Sequence, residues 1–328
     1  MSRVFVTRPI PDNGLDELRA ALGAEAVDVF PHDRPITRDE LLEGAAGASA
    51  LLPMLTDPVD AEVMDRAGGG LKVIANYAVG FNNIDVDAAT ERRIMVANTP
   101  GVLTEATADL TWTLIMAAAR RAGEAERYLR AGEWDGWGPQ QFLGVDVNGQ
   151  TLGVFGMGRI GQAVARRAQG FNMRVIYTTR TPLDAETERA IGAEAVGFET
   201  LLAESDILSV HCPLTNETRG LFGREAFQAM KPTALFINTS RGQAVDEAAL
   251  AEALHEGAIF GAGLDVFENE PAIHPRLLEC PHAVLLPHLG SATHATRAKM
   301  ASIAAGNIIA ALQGRRPRHW VNQDAWPA

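Results

Sequence analysis

Short apolar runs alternate with segments of helical spacing along the N-terminal third of the chain. We predict strands in four such runs, over residues 3–7, 27–30, 48–53 and 71–75. Residues 9–14 resemble a turn, and Leu15, Leu18 and Leu22 then recur at helical spacing. A capping box, Thr37 with Glu40, predicts the start of a second helix, and a third is expected over Ala61–Ala67. Strands that alternate with helices predict parallel βαβ units.

The same alternation returns in the second half of the chain, around a glycine pattern. Residues 151–155 predict a short buried strand, and Gly156, Gly158 and Gly161 follow it with G-x-G-x-x-G spacing. Apolar residues at helical spacing then open a helix, namely Ile160, Ala163, Val164 and Ala168. Such glycines permit a tight turn and let the backbone approach a pyrophosphate, which lies at the helix N-terminus. The pattern therefore predicts a dinucleotide-binding turn.

Further elements complete this second lobe. Strands are predicted over residues 174–178, 207–211, 234–238, 261–266 and 283–286. Asp246 is expected to cap a helix that ends at Gly257, and residues 292–313 form a last helix that returns to the first lobe. The sequence thus predicts an α/β fold of two doubly wound parallel-sheet lobes, with the second inserted into the first.

One apolar stretch departs from the alternation. Residues 103–128 predict a single long helix, and Trp112, Trp134 and Trp137 lie on it or just after it. So much aromatic surface is consistent with core or with a subunit interface. We favour an interface, because large aromatic residues are enriched there.

Composition and charge narrow the class of protein. The chain has 328 residues and a formal net charge of −12, which disfavours nucleic-acid or anionic-membrane partners. The two cysteines, Cys212 and Cys280, give neither a disulfide framework nor metal-ligand spacing, so we expect buried thiols and no metal. No signal-peptide core or membrane-spanning run is recognisable, and we expect a cytoplasmic protein.

Reactive side chains follow three predicted strands of the second lobe. They lie in residues 238–242, 263–271 and 286–291, at strand ends that face the ligand in an open parallel sheet. Arg241 offers a planar fork for a carboxylate, and His288 is a suitable general acid. A carboxylate beside His288 would favour its protonated form, and either Glu268 or Glu270 is placed to supply it.

The end of the second strand of this lobe predicts which cofactor binds. An NAD site places an acidic residue about 20 residues beyond the fingerprint, on the ribose hydroxyl. No acid occurs there, and Arg180 stands between Thr179 and Thr181 instead. Because Arg pairs with a phosphate, we predict NADPH in preference to NADH. If Arg180 is an ordinary solvated residue, mixed specificity is expected.

Motifs occur in a fixed order along nearly the whole chain. They occupy residues 76–85, 98–100, 103–109, 156–161, 211–215, 238–242, 261–271 and 287–293. Together they resemble the D-isomer-specific 2-hydroxyacid dehydrogenase family, and within it the glyoxylate/hydroxypyruvate reductases. Residues 291–294, which follow His288, carry most of the likeness to that branch.

The resemblance implies an activity and a domain organisation. It implies D-specific, NAD(P)H-dependent reduction of a small 2-oxo acid such as glyoxylate or hydroxypyruvate. A Rossmann nucleotide-binding domain over residues 100–290 would be inserted into a flavodoxin-like substrate-binding domain over residues 1–99 and 291–328. Family members are typically homodimers through the region here spanning about residues 101–144, which contains the tryptophans.

The resemblance also implies roles for individual residues. The catalytic set would be Arg241, Glu270 and His288. The substrate contacts would be Leu55, Val79, Gly80, Arg241 and His288, with the Val79–Gly80 backbone on the carboxylate. Asp265 would lie by the nicotinamide. The predicted cofactor contacts are Thr104, Gly156, Met157, Gly158, Arg159, Ile160, Gly161, Thr179, Arg180, Thr181, Cys212, Pro213, Thr218, Thr239, Arg241, Asp265 and Gly290.

Other functions stay open at this point. Phosphoglycerate dehydrogenase and formate dehydrogenase are alternatives within the enzyme class, although the second lacks the Glu–His pairing. Relatives of this fold also act as dinucleotide-sensing transcriptional corepressors, which bind a cofactor more than they turn it over. The acidic balance of the chain counts against that class.

Overall fold

The computed structural model describes residues 2–323 and divides the chain into two compact units. The first unit comprises Met1–Leu103 and Ser291–Ala328, and the second comprises Thr104–Gly290. We expected the first junction after residue 99, whereas it follows Leu103. Residues 324–328 of the predicted substrate-binding domain lie outside the described residues.

The first unit contains a five-stranded parallel sheet with helices around it. Its strands are β1 (Val4–Val6), β2 (Val27–Val29), β3 (Ala50–Leu52), β4 (Val73–Ala75) and β5 (Met95–Ala97), in the order β2-β1-β3-β4-β5. Its helices, numbered along the whole chain, are α1 (Asp12–Leu22), α2 (Arg38–Ala45), α3 (Ala61–Ala67), α4 (Val86–Glu91) and α13 (His294–Leu312). Strands β1, β3, β4 and β5 are buried at every position, as expected when helices cover both faces of a parallel sheet.

The second unit contains a seven-stranded parallel sheet. Its strands are β6 (Thr151–Phe155), β7 (Arg174–Thr178), β8 (Ala193–Ala195), β9 (Ile207–Val210), β10 (Leu235–Asn238), β11 (Gly261–Leu264) and β12 (Ala283–Leu285), in the order β12-β11-β10-β9-β6-β7-β8. Its helices are α5 (Thr104–Ala119), α6 (Ala122–Arg130), α7 (Arg159–Ala168), α8 (Ala185–Ile191), α9 (Phe198–Glu204), α10 (Arg224–Gln228), α11 (Glu247–His255) and α12 (Pro275–Leu278).

Alternate residues of these strands pack into two separate cores. On β10, Phe236 joins one core, whereas Leu235 and Ile237 join the other. On β7, Ile176 and Tyr177 are divided between the cores in the same way. Since successive side chains of a strand point to opposite faces, the sheet has an apolar layer on each side.

Both strand orders are those of doubly wound sheets, so the predicted fold class is confirmed. The first sheet has the flavodoxin-like order, and the second has the order of dinucleotide-binding domains. In the second sheet the direction of winding reverses between β6 and β9, which are neighbours. Ligands of such sheets bind beyond the carboxyl ends of the strands at that switch point.

The expected single helix over residues 103–128 is wrong. The chain forms α5 and α6 with a break at Arg121, whose backbone is left-handed at φ +51°. The Arg121 guanidinium hydrogen-bonds both carboxylate oxygens of Glu124 at 2.8 Å across the start of α6. The interface interpretation is also wrong for Trp112, which is buried and stacks on Phe171 with ring centroids 4.5 Å apart.

Smaller differences concern short elements. Helix α1 begins at Asp12, inside the stretch expected to be a turn. Elements α4, β5, α8, β8, α9, α10 and α12 were not predicted, and each has between three and seven residues. Periodicity over so few positions does not separate helix from strand. Within residues 2–323, no helix combines the length and apolar character needed to cross a membrane.

Candidate active site

The glycine pattern forms the predicted turn between β6 and α7. Gly156 has φ +98°, a conformation that side chains disfavour, and Gly158 precedes α7 with no side-chain cap. A Cβ on Gly161 would overlap the carbonyl oxygen of Gly156, so only glycine lets the helix start this close to the turn. Met157 is buried behind it, and Arg159, Ile160 and Gly161 form the first helical turn. Uncapped amides at a helix N-terminus fit the pyrophosphate of a dinucleotide.

The neighbouring strand ends border this turn. A Cβ on Gly156 would lie 2.7 Å from the backbone nitrogen of Cys212, which shows how closely the loop after β9 approaches. Burial raises the pKa of the Cys212 thiol to about 11, so the thiol is protonated at neutral pH. Thr218 belongs to the same loop and donates from its hydroxyl to the Pro213 carbonyl at 2.8 Å. Both cysteines are buried and unpaired, as expected.

The segment after β7 carries the predicted cofactor-selecting residues. Phe155 of β6 pairs with Thr178 of β7, so Thr179, Arg180 and Thr181 follow directly beside the glycine turn. Arg180 and Thr181 are exposed to solvent. A hydrogen bond from Thr215 lowers the pKa of Glu217, and the charge of Arg180 contributes to the same lowering.

His288 and Glu270 form a hydrogen-bonded pair. His288 Nδ1 lies 2.9 Å from Glu270 Oε2, and the Phe267 amide donates to Glu270 Oε1 at 3.0 Å. Burial acts to raise the pKa of Glu270, but the hydrogen bonds from His288 and Phe267 and the charges of His288 and Arg241 together outweigh it, and the pKa is lowered. Glu270 is therefore an anion at neutral pH and accepts the Nδ1 proton, which leaves Nε2 for another partner. Of the two glutamates proposed from the sequence, Glu270 makes this contact.

The backbone of His288 is itself constrained. His288 has φ +56°, which costs on the order of 1 kcal/mol for a residue with a side chain. Its amide donates to the carbonyl of Asp265 at 3.0 Å. The buried Asp265 carboxylate in turn accepts from the amides of Leu289 at 2.6 Å and Gly290 at 2.8 Å. Burial raises the pKa of Asp265 against these hydrogen bonds.

The charges of Arg241 and of Glu270, in the His288–Glu270 pair, act on one another. Its side chain donates from Nη1 to the Ser240 carbonyl at 2.7 Å. Burial lowers the pKa of the guanidinium, and the nearby charge of Glu270 partly offsets that effect. A Cβ on Gly242 would overlap the backbone of Phe267, so the loop after β10 lies directly against the segment that carries Glu270. The structure thus brings the three predicted catalytic residues together.

The remaining predicted residues occupy defined positions. Thr239 contacts Thr111 through its hydroxyl at 3.0 Å, and Thr104 is the first residue of α5. In the first unit, Val79 accepts from Asn98 Nδ2 and Gly80 from Asn76 Nδ2 through their carbonyls, each at 2.7 Å. Leu55 lies in the loop after β3. Within residues 2–323, no group of three or more His, Cys, Asp or Glu side chains is arranged to hold a metal ion.

Two residues that hold the Glu270 segment could not be identified from the sequence. Gln243 donates from Nε2 to the carbonyl of Glu268 at 2.8 Å. Glu247 accepts from the amides of Glu268 and His274, the latter at 2.9 Å. Glu247 is the first residue of α11, where an acidic residue is favoured by the helix dipole alone. Its position therefore gave no sign of a second role.

The parallel sheet carries a glycine turn at its switch point. An imidazole–carboxylate pair lies beyond the carboxyl ends of strands of the same sheet. These features are typical of an NAD-binding oxidoreductase of the Rossmann class. The family model for the "D-isomer specific 2-hydroxyacid dehydrogenase, NAD binding domain" matches residues 112–290. The chain belongs to the D-isomer specific 2-hydroxyacid dehydrogenase family.

Similar proteins extend the likeness to the whole chain. A glyoxylate reductase from Thermococcus litoralis is 49% identical over 326 residues, which cover 98% of this chain and 97% of that protein. A glyoxylate reductase from Korarchaeum cryptofilum is 50% identical over 325 residues, which cover 98% and 96%. An NADPH-dependent glyoxylate/hydroxypyruvate reductase from Sinorhizobium meliloti, solved with NADP and malonate, has a TM-score of 0.85 and 33% identity, and the match covers 100% of this chain and 98% of that one.

Proposed function

We propose that the protein reduces a small 2-oxo acid, glyoxylate or hydroxypyruvate, to the 2-hydroxy acid, with D configuration where the product is chiral. The single observation that carries the proposal is the 2.9 Å contact of His288 with Glu270, beyond the carboxyl ends of the strands of the sheet that bears the glycine turn. The names of the relatives, which are glyoxylate reductases, support the same substrate class.

The residues of this chain divide the work between binding and proton transfer. The cofactor, when bound, supplies the hydride. Arg241 and the backbone amides of Val79 and Gly80 hold the substrate carboxylate and orient the carbonyl group. His288 donates the proton on Nε2 to the carbonyl oxygen as negative charge develops there. Glu270 holds the opposite nitrogen, so the imidazole keeps its orientation and its protonated form is favoured.

We propose NADPH as the preferred cofactor. Arg180 and the hydroxyls of Thr179 and Thr181 provide a cation and donors for a 2′-phosphate at the position where an NAD site carries an acid. The Sinorhizobium meliloti enzyme, which is NADPH-dependent and was solved with NADP, supports this choice.

We also propose that the protein is a cytoplasmic homodimer. Leu129, Trp134, Trp137 and Leu143 expose between 54% and 83% of their surface within the region of about residues 101–144. Exposed aromatic residues in one segment are typical of a protein interface. Buried, unpaired cysteines are consistent with a reducing compartment.

A turnover assay tests the proposed activity. Loss of NADPH absorbance is measured after addition of glyoxylate, hydroxypyruvate and a panel of larger 2-oxo acids. We expect turnover with the two small acids and a fall in kcat/KM as the acid grows. Tight NADPH binding without turnover of any of these acids would contradict the proposal and favour a cofactor-sensing role.

A further inference from the structure

Glu247 is a buried carboxylate that the proposed mechanism does not use. It is 5% exposed. Its Oε1 accepts from the amide of Glu268, and its Oε2 accepts from the amide of His274 at 2.9 Å. A buried carboxylate is costly unless its oxygens are hydrogen-bonded, and here each oxygen has a backbone donor. A carboxylate is also the one side chain of this size that offers two acceptor oxygens.

The two amides that Glu247 binds lie on either side of Glu270 in the chain. Between them the segment turns back on itself, because Ala272 donates from its amide to the Asn269 carbonyl at 2.9 Å. Gln243 adds a third restraint through the Glu268 carbonyl at 2.8 Å. Both ends of the turn that presents Glu270 are therefore fastened to the first residue of α11.

We propose that Glu247 is a positioning residue that sets the Glu270 carboxylate against His288. This inference rests on the proposed function, in which Glu270 favours the protonated imidazole. If either hydrogen bond from these amides to Glu247 is lost, the turn that carries Glu270 is no longer held in place. The Glu270 carboxylate then moves out of its 2.9 Å contact with His288. His288 Nδ1 then loses its carboxylate partner, which leaves the charge of the buried Asp265 to act on the imidazole.

The substitution Glu247→Gln tests the proposal while preserving shape. The glutamine keeps one acceptor oxygen and points amide hydrogens at the other backbone N–H. We expect kcat with glyoxylate to fall about 10- to 100-fold, as small misplacements of catalytic groups do. We also expect the alkaline limb of the pH profile of kcat/KM to move to lower pH, with the Kd for NADPH unchanged.

Two further variants separate positioning from folding. Glu256→Gln lies at the other end of the same helix, in solvent, and is expected to behave as wild type. Glu247→Asp keeps both acceptor oxygens but withdraws them by one methylene, so it is expected to shift the limb in the same direction with a smaller loss. Glu247→Asp is the variant that tests the proposal if Glu247→Gln does not fold. A loss of activity with an unmoved pH profile in the folded variants would overturn the proposal.

The Glu270→Gln variant distinguishes the inference from the function on which it rests. If Glu270→Gln itself has the wild-type pH profile, the proposed role of Glu270 fails. If it shifts the alkaline limb, the double variant with Glu247→Gln is expected to shift it no further, because both substitutions remove the same interaction. Independent, additive shifts would overturn the positioning role of Glu247 alone.

Discussion

At the scale of single residues, the site depends on which charges face one another. The pKa of Glu270 is lowered because the hydrogen bonds and charges around it outweigh its burial, whereas burial lowers the pKa of Arg241 and the charge of Glu270 partly offsets that effect. Arg180 differs, because it is exposed, and its charge contributes to the lowered pKa of Glu217 in the loop after β9. That exposure leaves it accessible to a phosphate.

Arg180→Ala tests the choice of cofactor. Removing the cation is expected to raise KM for NADPH by about 10-fold or more, the worth of one charged hydrogen bond, and to leave KM for NADH nearly unchanged. The measurement is kcat/KM for both cofactors, with Arg189→Ala, an exposed arginine on α8, as the control. If the preference for NADPH survives the substitution, Arg180 is not the discriminating residue.

Most of the candidate catalytic side chains could be identified from the sequence because each follows a strand of the same sheet. Glu268 and Glu270 remained alternatives, since side chains in an irregular loop do not alternate as they do in a strand. Glu247 could not be identified as a site residue, because its contacts with Glu268 and His274 join residues 21 and 27 positions away. Such contacts leave no periodic signal.

At the scale of elements, the N-terminus of α2 shows how local chemistry fixes a helix start. The Thr37 side chain accepts from the amide of Glu40, and the Glu40 carboxylate accepts from the amide of Thr37 at 2.9 Å. Glu40 also pairs with Arg34 at 2.5 Å. The hydrogen bonds from Arg34 and then Thr37 lower the pKa of Glu40 from 4.5 to about 2.

We therefore expect the substitution Glu40→Gln to lower the free energy of unfolding by an amount that depends on pH. A lowered pKa in the folded state stabilises the protein above the unfolded-state pKa, and that contribution is lost as pH falls through the folded-state value. The difference in free energy of unfolding from wild type should be largest at neutral pH and shrink between about pH 4.5 and pH 2. Urea denaturation at several pH values measures it, with Glu43→Gln on the same helix as control. A difference independent of pH would contradict this account.

Elements were predictable where the sequence carries a local signal. The capping box at Thr37, the Asp246 cap and the strand before the glycine turn all have such signals, and all are found where they were expected. The break at Arg121 has none, since the left-handed residue is itself neither glycine nor asparagine and its ion pair with Glu124 is a detail of the folded chain. No such local signal marks strand β5.

At the scale of the whole molecule, the class of fold was evident from the alternation of strands and helices and from one glycine pattern. The association of subunits cannot be predicted from such patterns. Of the tryptophans considered for an interface, Trp112 fills the core of the second unit, whereas Trp134 and Trp137 are 54% and 83% exposed. Burial against the rest of the fold is a property of tertiary structure, so periodicity did not separate these cases.

Trp137→Glu tests the proposed homodimer. A charge in the apolar segment would have to be desolvated at the interface, so the variant should sediment as a smaller species than wild type at equal concentration. Leu278→Glu, at a side chain 63% exposed on α12, is the control and should sediment as wild type. Unchanged sedimentation of Trp137→Glu would contradict an interface at this residue.

The central claim is that His288, held by Glu270, gives the proton during reduction of the 2-oxo acid. The most direct measurement compares kcat for NADPH oxidation by glyoxylate with the Kd for NADPH in His288→Ala, with the exposed His255→Ala as control. We predict that His288→Ala lowers kcat by about 10²- to 10⁴-fold, the usual worth of a general acid, and leaves the Kd unchanged. Near-normal turnover by His288→Ala would contradict the account.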